Sequence, residues 1–282
     1  MTISTIDRDL AAQLRAQTCG CRLMRGRFNA RKTFSQYQKA EAAEVFSADA
    51  AFLSASKKLL NTKAGEYRAV TKALNECARI WNDWTLPYPE DGVRLLRRDK
   101  IGQFDLKMAG LRTELEESVR LLANAYDDLK LEAKVKLGEL FNSQDYPDSI
   151  TELFYVSWDF PSVTPPLWLQ TLNPEIYEEQ MRRVQQRFDN AIQMAEESFG
   201  QQLLEMVAHL QERLVPDEKG RARVFRDSAL ENFKEFFGRF KELSVRSNDE
   251  LDNVVQQCET LLAGMDPESL RKSSGFRDDT RL

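Results

Sequence analysis

Residues 174–214, PEIYEEQMRRVQQRFDNAIQMAEESFGQQLLEMVAHLQERL, decide the fold class of this chain. Pro174 follows Asn173 at a first helical turn, where proline's missing N–H costs nothing. Tyr177, Met181, Val184, Phe188, Ala191, Ala195, Phe199, Leu203, Met206 and Leu210 then recur at spacings of three and four. A second run has the same period: Leu106, Leu111, Leu115, Val119, Leu122, Tyr126, Leu129, Ala133, Leu137 and Leu140, with Gly110 and Gly138 its weak helix formers. Each run approaches roughly 40 residues, or about 60 Å of helix. A compact globule of 282 residues has a diameter of roughly 50 Å. The expected fold is therefore mainly α: an elongated helical bundle on two long, antiparallel, coiled-coil-like helices.

The connection between the two runs, residues 142–173, holds Tyr146-Pro147, Trp158-Asp159-Phe160-Pro161 and Thr164-Pro165-Pro166-Leu167-Trp168. Tyr155, Trp158, Phe160 and Trp168 make it a candidate partner-binding loop. Leu153-Phe-Tyr-Val-Ser-Trp158 has strand-forming composition and can pair with the extended piece around Arg22 to Phe28, as a small two-stranded β element at one end.

The remaining punctuation divides the chain. Residues 1–90 read as an N-terminal helical region interrupted by an extended basic segment at 19–33. A short helix from Ser4 to Ala16 precedes that segment. A helix from Ser35 follows it, bends at Ser47-Ala48-Asp49 and resumes to Leu60, and another runs from Ala64 to Trp84. Leu86-Pro-Tyr-Pro-Glu-Asp-Gly92 ends that helix. The long hairpin occupies 91–216, two C-terminal helices occupy 217–264, and a polar tail fills 265–282.

Composition bounds the chemistry. Forty Lys+Arg against 45 Asp+Glu, with 42% hydrophobic residues, describe a mildly acidic chain able to bury a core. Disorder throughout is excluded. The longest uncharged apolar stretch, Leu153 to Trp158, is far short of the roughly 20 residues a bilayer needs, so no membrane association is expected. Asp7, Arg8 and Asp9 interrupt any secretory apolar segment, and a cytoplasmic location is expected. Cys19, Cys21, Cys77 and Cys258 with His209 are too few and too scattered for a zinc site. One histidine also leaves the di-iron and nucleophilic-triad arrangements without a base, and no phosphate-binding glycine motif occurs. No cofactor and no catalytic residue are assigned.

Positive charge is the remaining signal. Arg22, Arg25, Arg27, Arg31 and Lys32, extending to Lys39, surround Phe28 without an intervening acid. Lys219, Arg221, Arg223 and Arg226 bracket Phe225. Cations interleaved with aromatics suit a phosphate backbone and stacked bases. They equally suit solvated faces or protein contacts.

The order of features resembles an uncharacterised family of helical bacteriophage and prophage proteins. The features are Cys21-Arg-Leu-Met-Arg-Gly-Arg27, Leu86-Pro-Tyr-Pro89, Ala125-Tyr-Asp-Asp-Leu129 on a long helix, Asp145-Tyr-Pro147, Phe154 and a second long helix. The likeness spans most of residues 15–215. It implies a phage or prophage setting in the bacterial cytoplasm and transfers no site residues. The function expected is that of a non-enzymatic accessory protein acting through a protein partner or self-association. The alternative is a nucleic-acid-binding accessory protein using segments 22–39 and 219–226.

Overall fold

The computed structural model describes residues 5–214, 227–245 and 247–263. The chain divides into two compact units. The first comprises residues 1–22, 83–101 and 160–282, and the second 23–82 and 102–159.

In the first unit, helix α1 (Thr5–Gln17) passes directly into strand β1 (Thr18–Gly26). The buried Thr18 hydroxyl donates to the Leu14 carbonyl at 2.7 Å, satisfying an acceptor that the helix end would leave open. The Pro-rich stretch after Trp84 is more than a helix stop. It forms the hairpin of β4 (Thr85–Pro87) and β5 (Val93–Arg97), with Gly92 at φ 75 where a side chain would strain. β5 pairs antiparallel with β1 from Thr18↔Arg97 to Arg22↔Val93. Helix α6 (Leu167–Leu172) leads to α7 (Pro174–Leu214), which has the bounds its periodicity predicts. α7 packs on α1, α6 and β4, and on α8 (Asp227–Leu243) and α9 (Asp249–Ala263). Phe188, Phe199, Phe233, Phe236, Phe237 and Phe240 are all buried in one core. Phe199 meets Phe236 and Phe240 edge-on, with centroids 6.1 and 5.1 Å apart.

In the second unit, β2 (Arg31–Thr33) pairs antiparallel with β3 (Ser56–Lys58), and α2 (Gln36–Val45) lies between them in sequence. Ser35 and Gln38 close a capping box at the start of α2. The resumed helix expected up to Leu60 does not form. Ser47, at φ 49, turns the chain out of the helix, and 56–58 is drawn into the ladder with β2. Helix α3 begins in this unit and spans Gly65–Trp84, burying Tyr67, Val70, Leu74, Cys77 and Ile80.

The first long run becomes two helices, α4 (Ile101–Asn124) and α5 (Tyr126–Leu137), interrupted at Ala125 and ended by Gly138 at φ 52. The buried stripe of α4 is Phe104, Met108, Leu111, Leu115, Val119 and Leu122. Leu106 lies about 200° from Phe104 around a helix of 3.6 residues per turn, and it is exposed. Most of α4 and all of α5 belong to the second unit and α7 to the first, so the expected antiparallel long pair organises neither unit.

The strand order is β4-β5-β1-β6, with β6 (Tyr155–Asp159) beside β1 as the composition of 153–158 predicts. The sheet is larger than the two strands expected, because β4 and β5 were hidden in proline-rich punctuation. No helix among the described residues is long and apolar enough to cross a membrane.

Candidate functional site

The basic segment is partly consumed by the fold. Phe28 is buried, and its carbonyl accepts from the Tyr67 hydroxyl at 3.3 Å, so it offers no stacking platform. Arg25 donates to the Leu74 carbonyl at 3.2 Å, capping a group inside α3. Arg27 is exposed on the segment, close enough to Tyr67 to act against the burial that pushes that phenol up. Arg22, on β1 opposite Val93, belongs to the first unit, and Arg31 is exposed on β2.

Lys32 has a partner that sequence spacing could not reveal. The β2–β3 register sets Lys32 directly opposite Lys57, an unfavourable like-charge pair. Asp145 lies between them, 2.5 Å from Lys32 Nζ and 2.6 Å from Lys57 Nζ. The carboxylate side chain is 2% exposed and that of Lys57 5%, whereas that of Lys32 is 54% exposed. Burial alone would raise the Asp145 carboxyl. The two lysines outweigh it and hold the group below its ordinary range. Lys57 also donates to the Leu140 carbonyl at 2.6 Å, and Tyr146 donates to the Leu59 carbonyl at 2.9 Å. Asp145-Tyr146 is thus a clasp on the β2–β3 ladder, and Lys32 serves it.

Cations on α3 were missed because acids interrupt them in sequence. An open groove of about 810 Å³ runs along this helix, lined by Tyr67, Arg68, Lys72, Asn75, Glu76 and Arg79 among others. The Arg79 hydrogen bond holds the Glu76 carboxyl below its ordinary range, with Arg79, Lys107 and Lys72 adding their charges. Residues 23–82 carry 11 Lys+Arg against 5 Asp+Glu, and residues 102–159 carry 6 against 12. The charge of the second unit is therefore segregated by sequence segment. Lys219, Arg221, Arg223 and Arg226 lie outside the described residues.

The aromatic connection divides into buried and exposed members. In the second unit, Trp158 Nε1 donates to Asp105 at 2.8 Å, and the Arg112 guanidinium lies 5.2 Å from its ring centroid. Tyr155, half exposed, lies where a Cβ on Gly26 would fall. In the first unit, Phe160 is 39% and Trp168 62% exposed. Trp168 is flanked on α6 and the first turn of α7 by Leu167, Leu172 and Ile176, all exposed. Among the described residues of this unit, these four large apolar side chains within ten residues form the most concentrated exposed apolar stretch.

The first unit also contains a semi-buried charge network. Arg94 donates to Thr85 Oγ1 at 2.7 Å and to the Thr85 carbonyl at 2.9 Å. Arg239 donates to Asp83 at 3.0 Å and to Gln202, and lies over the Phe199 ring. Burial first, and the Arg239 charge second, bring the Arg94 guanidinium down to about 10, with Asp83 opposing. The Arg94 bonds hold β5 to β4 within the hairpin, and those of Arg239 tie α8 to α7 and to the end of α3. His209 is exposed on α7, 3.8 Å from Glu212. None of the four cysteines is in a disulfide, and no group of three or more His, Cys, Asp or Glu that could hold a metal occurs among the described residues. No family model, no curated protein and no solved structure matches the chain.

Proposed function

We propose that this protein works through protein–protein contact, with the surface formed by Leu167, Trp168 and Leu172 of α6 and Ile176 at the start of α7 as a principal contact. The observation that carries this reading is the exposure of those four side chains on α6, a short helix packed on α7, and on the first turn of α7. A tryptophan such as Trp168 is among the side chains that most often carry the binding energy of an interface, with the surrounding aliphatic groups excluding water. The phage or prophage accessory role belongs to the same proposal and rests on the resemblance in sequence. Site-specific photo-crosslinking tests it: a photoreactive residue replacing Trp168 captures a discrete protein in the host cell, while one replacing Leu131, an exposed apolar residue of α5, does not. Equal labelling at both positions rejects the assignment.

A second reading, nucleic-acid binding, is favoured by the α3 groove with Arg68, Lys72 and Arg79. Its cations differ from those first expected, since Arg25, Phe28 and Lys32 have structural partners. Phosphate contacts release counterions, so retention on DNA or RNA must fall steeply with salt. Absence of binding at about 50 mM salt rejects this reading.

A further inference from the structure

β6 lies at the end of the strand order, and among the described residues no strand lies on its far side. An edge strand presents unpaired N–H and C=O groups, and proteins usually guard such edges with lysine, proline or a bulge. β6 has no such guard. From Leu153 to Phe160 the sequence is LFYVSWDF, without a cation or a proline, and with Asp159 as its single charge. The strand is also held rigidly within its unit. Val156 is buried, Trp158 is fixed by Asp105 and Arg112, and the Tyr155 ring lies over Gly26.

The five residues are complementary to themselves. Antiparallel pairing about Ser157 sets Val156 opposite Trp158 of the other copy, a β-branched–aromatic pair of the stabilising type. Tyr155 then faces Asp159, so the two carboxylates are kept apart and no like charges meet. Only the small Ser157 faces its own equivalent. We propose that β6 pairs antiparallel with β6 of a second copy of this chain, across a two-fold axis at Ser157, continuing the sheet from one protomer into its partner. The proposal rests on the reading that the protein acts through protein contacts, but it uses an element of the second unit, whereas α6 belongs to the first. A five-residue strand pair is a small interface, so the dimer is in concentration-dependent equilibrium with monomer.

Sedimentation equilibrium of the full chain tests this, with the expected result a reversible transition from 32.5 kDa to twice that mass. Ser157→Lys brings two ammonium groups together at the axis and weakens the dimer at least about tenfold. Ser157→Thr leaves it intact. Ser157→Cys places two thiols within disulfide reach and gives a covalent dimer under mild oxidation that the wild-type chain, with its four cysteines, does not give. This last variant keeps the test valid should the lysine variant misfold. A monomer at every concentration, or a dimer that Ser157→Lys does not weaken and Ser157→Cys does not lock covalently, overturns the proposal. Loss of the dimer in Leu172→Ser, with Ser157→Lys unaffected, overturns it too and moves self-association to α6. Loss of crosslinking at Trp168 with the Ser157 results intact removes the α6 reading alone.

Discussion

Replacing Asp145 by alanine removes the carboxylate that bridges Lys32 and Lys57, and the structure distinguishes what each lysine then loses. Lys57 is 5% exposed in its side chain and keeps only its bond to the Leu140 carbonyl, facing a like charge across the ladder. Breaking a buried pair by removing one partner costs about 3–5 kcal/mol. Lys32 is 54% exposed and regains water, so Lys32→Ala costs no more than about 1 kcal/mol. Replacing Lys57 by Met and Asp145 by Leu together removes both buried charges and costs far less than Asp145→Ala alone. Because the chain has two compact units, a single global unfolding curve is the wrong measure. Native-state hydrogen exchange of peptides covering β2 and β3 isolates the local opening. A loss of about 3 kcal/mol corresponds to exchange more than a hundredfold faster. An Asp145→Ala acceleration below about tenfold, or one matched by Lys32→Ala, refutes the clasp.

The same carboxylate gives an acid-side dependence. Its pKa is depressed in the fold, so its contribution is present above the unfolded value of about 3.9 and is lost as pH falls through the lower folded value. Asp145→Ala flattens that part of the pH profile of β2–β3 exchange, and an unchanged profile contradicts it. At Gly20 an added Cβ would lie 2.5 Å from the Pro161 carbonyl oxygen, a backbone atom that cannot easily yield. Gly20→Ala should lower the melting temperature, at a cost of about 1–3 kcal/mol. Phe188 is fully buried, and Phe188→Ala should cost about 3–5 kcal/mol in the first unit. A loss below about 1 kcal/mol for Phe188→Ala shows that the phenylalanine cluster is loosely packed. Native alkylation should modify Cys19 and Cys258, which are partly exposed, before the buried Cys21 and Cys77. Early labelling of Cys77 contradicts the packing of α3.

The helical periods were legible because each depends on local spacing. α7 begins at Pro174 and ends at Leu214 as expected, and the stripe of α3 is the one its spacing gives. The strands were harder to see. β4 and β5 are three and five residues long, too short for a period-two signal, and their proline-rich turn reads equally as a helix stop. β3 carries Ser56-Lys57-Lys58, a composition without strand preference, and the carboxylate that bridges it to β2 comes from the distant Asp145. Lys57 itself could not be recognised as buried from sequence, since lysine is seldom buried unless paired and its partner is 88 positions away. Of the expected contact residues, Trp168 and Phe160 are available on the first unit. Phe28 and Lys32 are held in the second unit by interactions that only the tertiary register creates.

The chain passes between its two units after Arg22, Asn82, Ile101 and Asp159, and this bears on synthesis. All residues of the second unit have been synthesised by Asp159, with the β4–β5 hairpin still lacking α7 and α8. That unit can therefore gain its core during translation, while α1 and the β4–β5 hairpin wait for residues more than 60 positions further along the chain. A nascent chain that has cleared the ribosome as far as Asp159 would carry one finished unit with two unfinished pieces of the other attached. The apolar faces of Leu14, Leu86 and Leu95 are the surfaces a chaperone would meet at that moment.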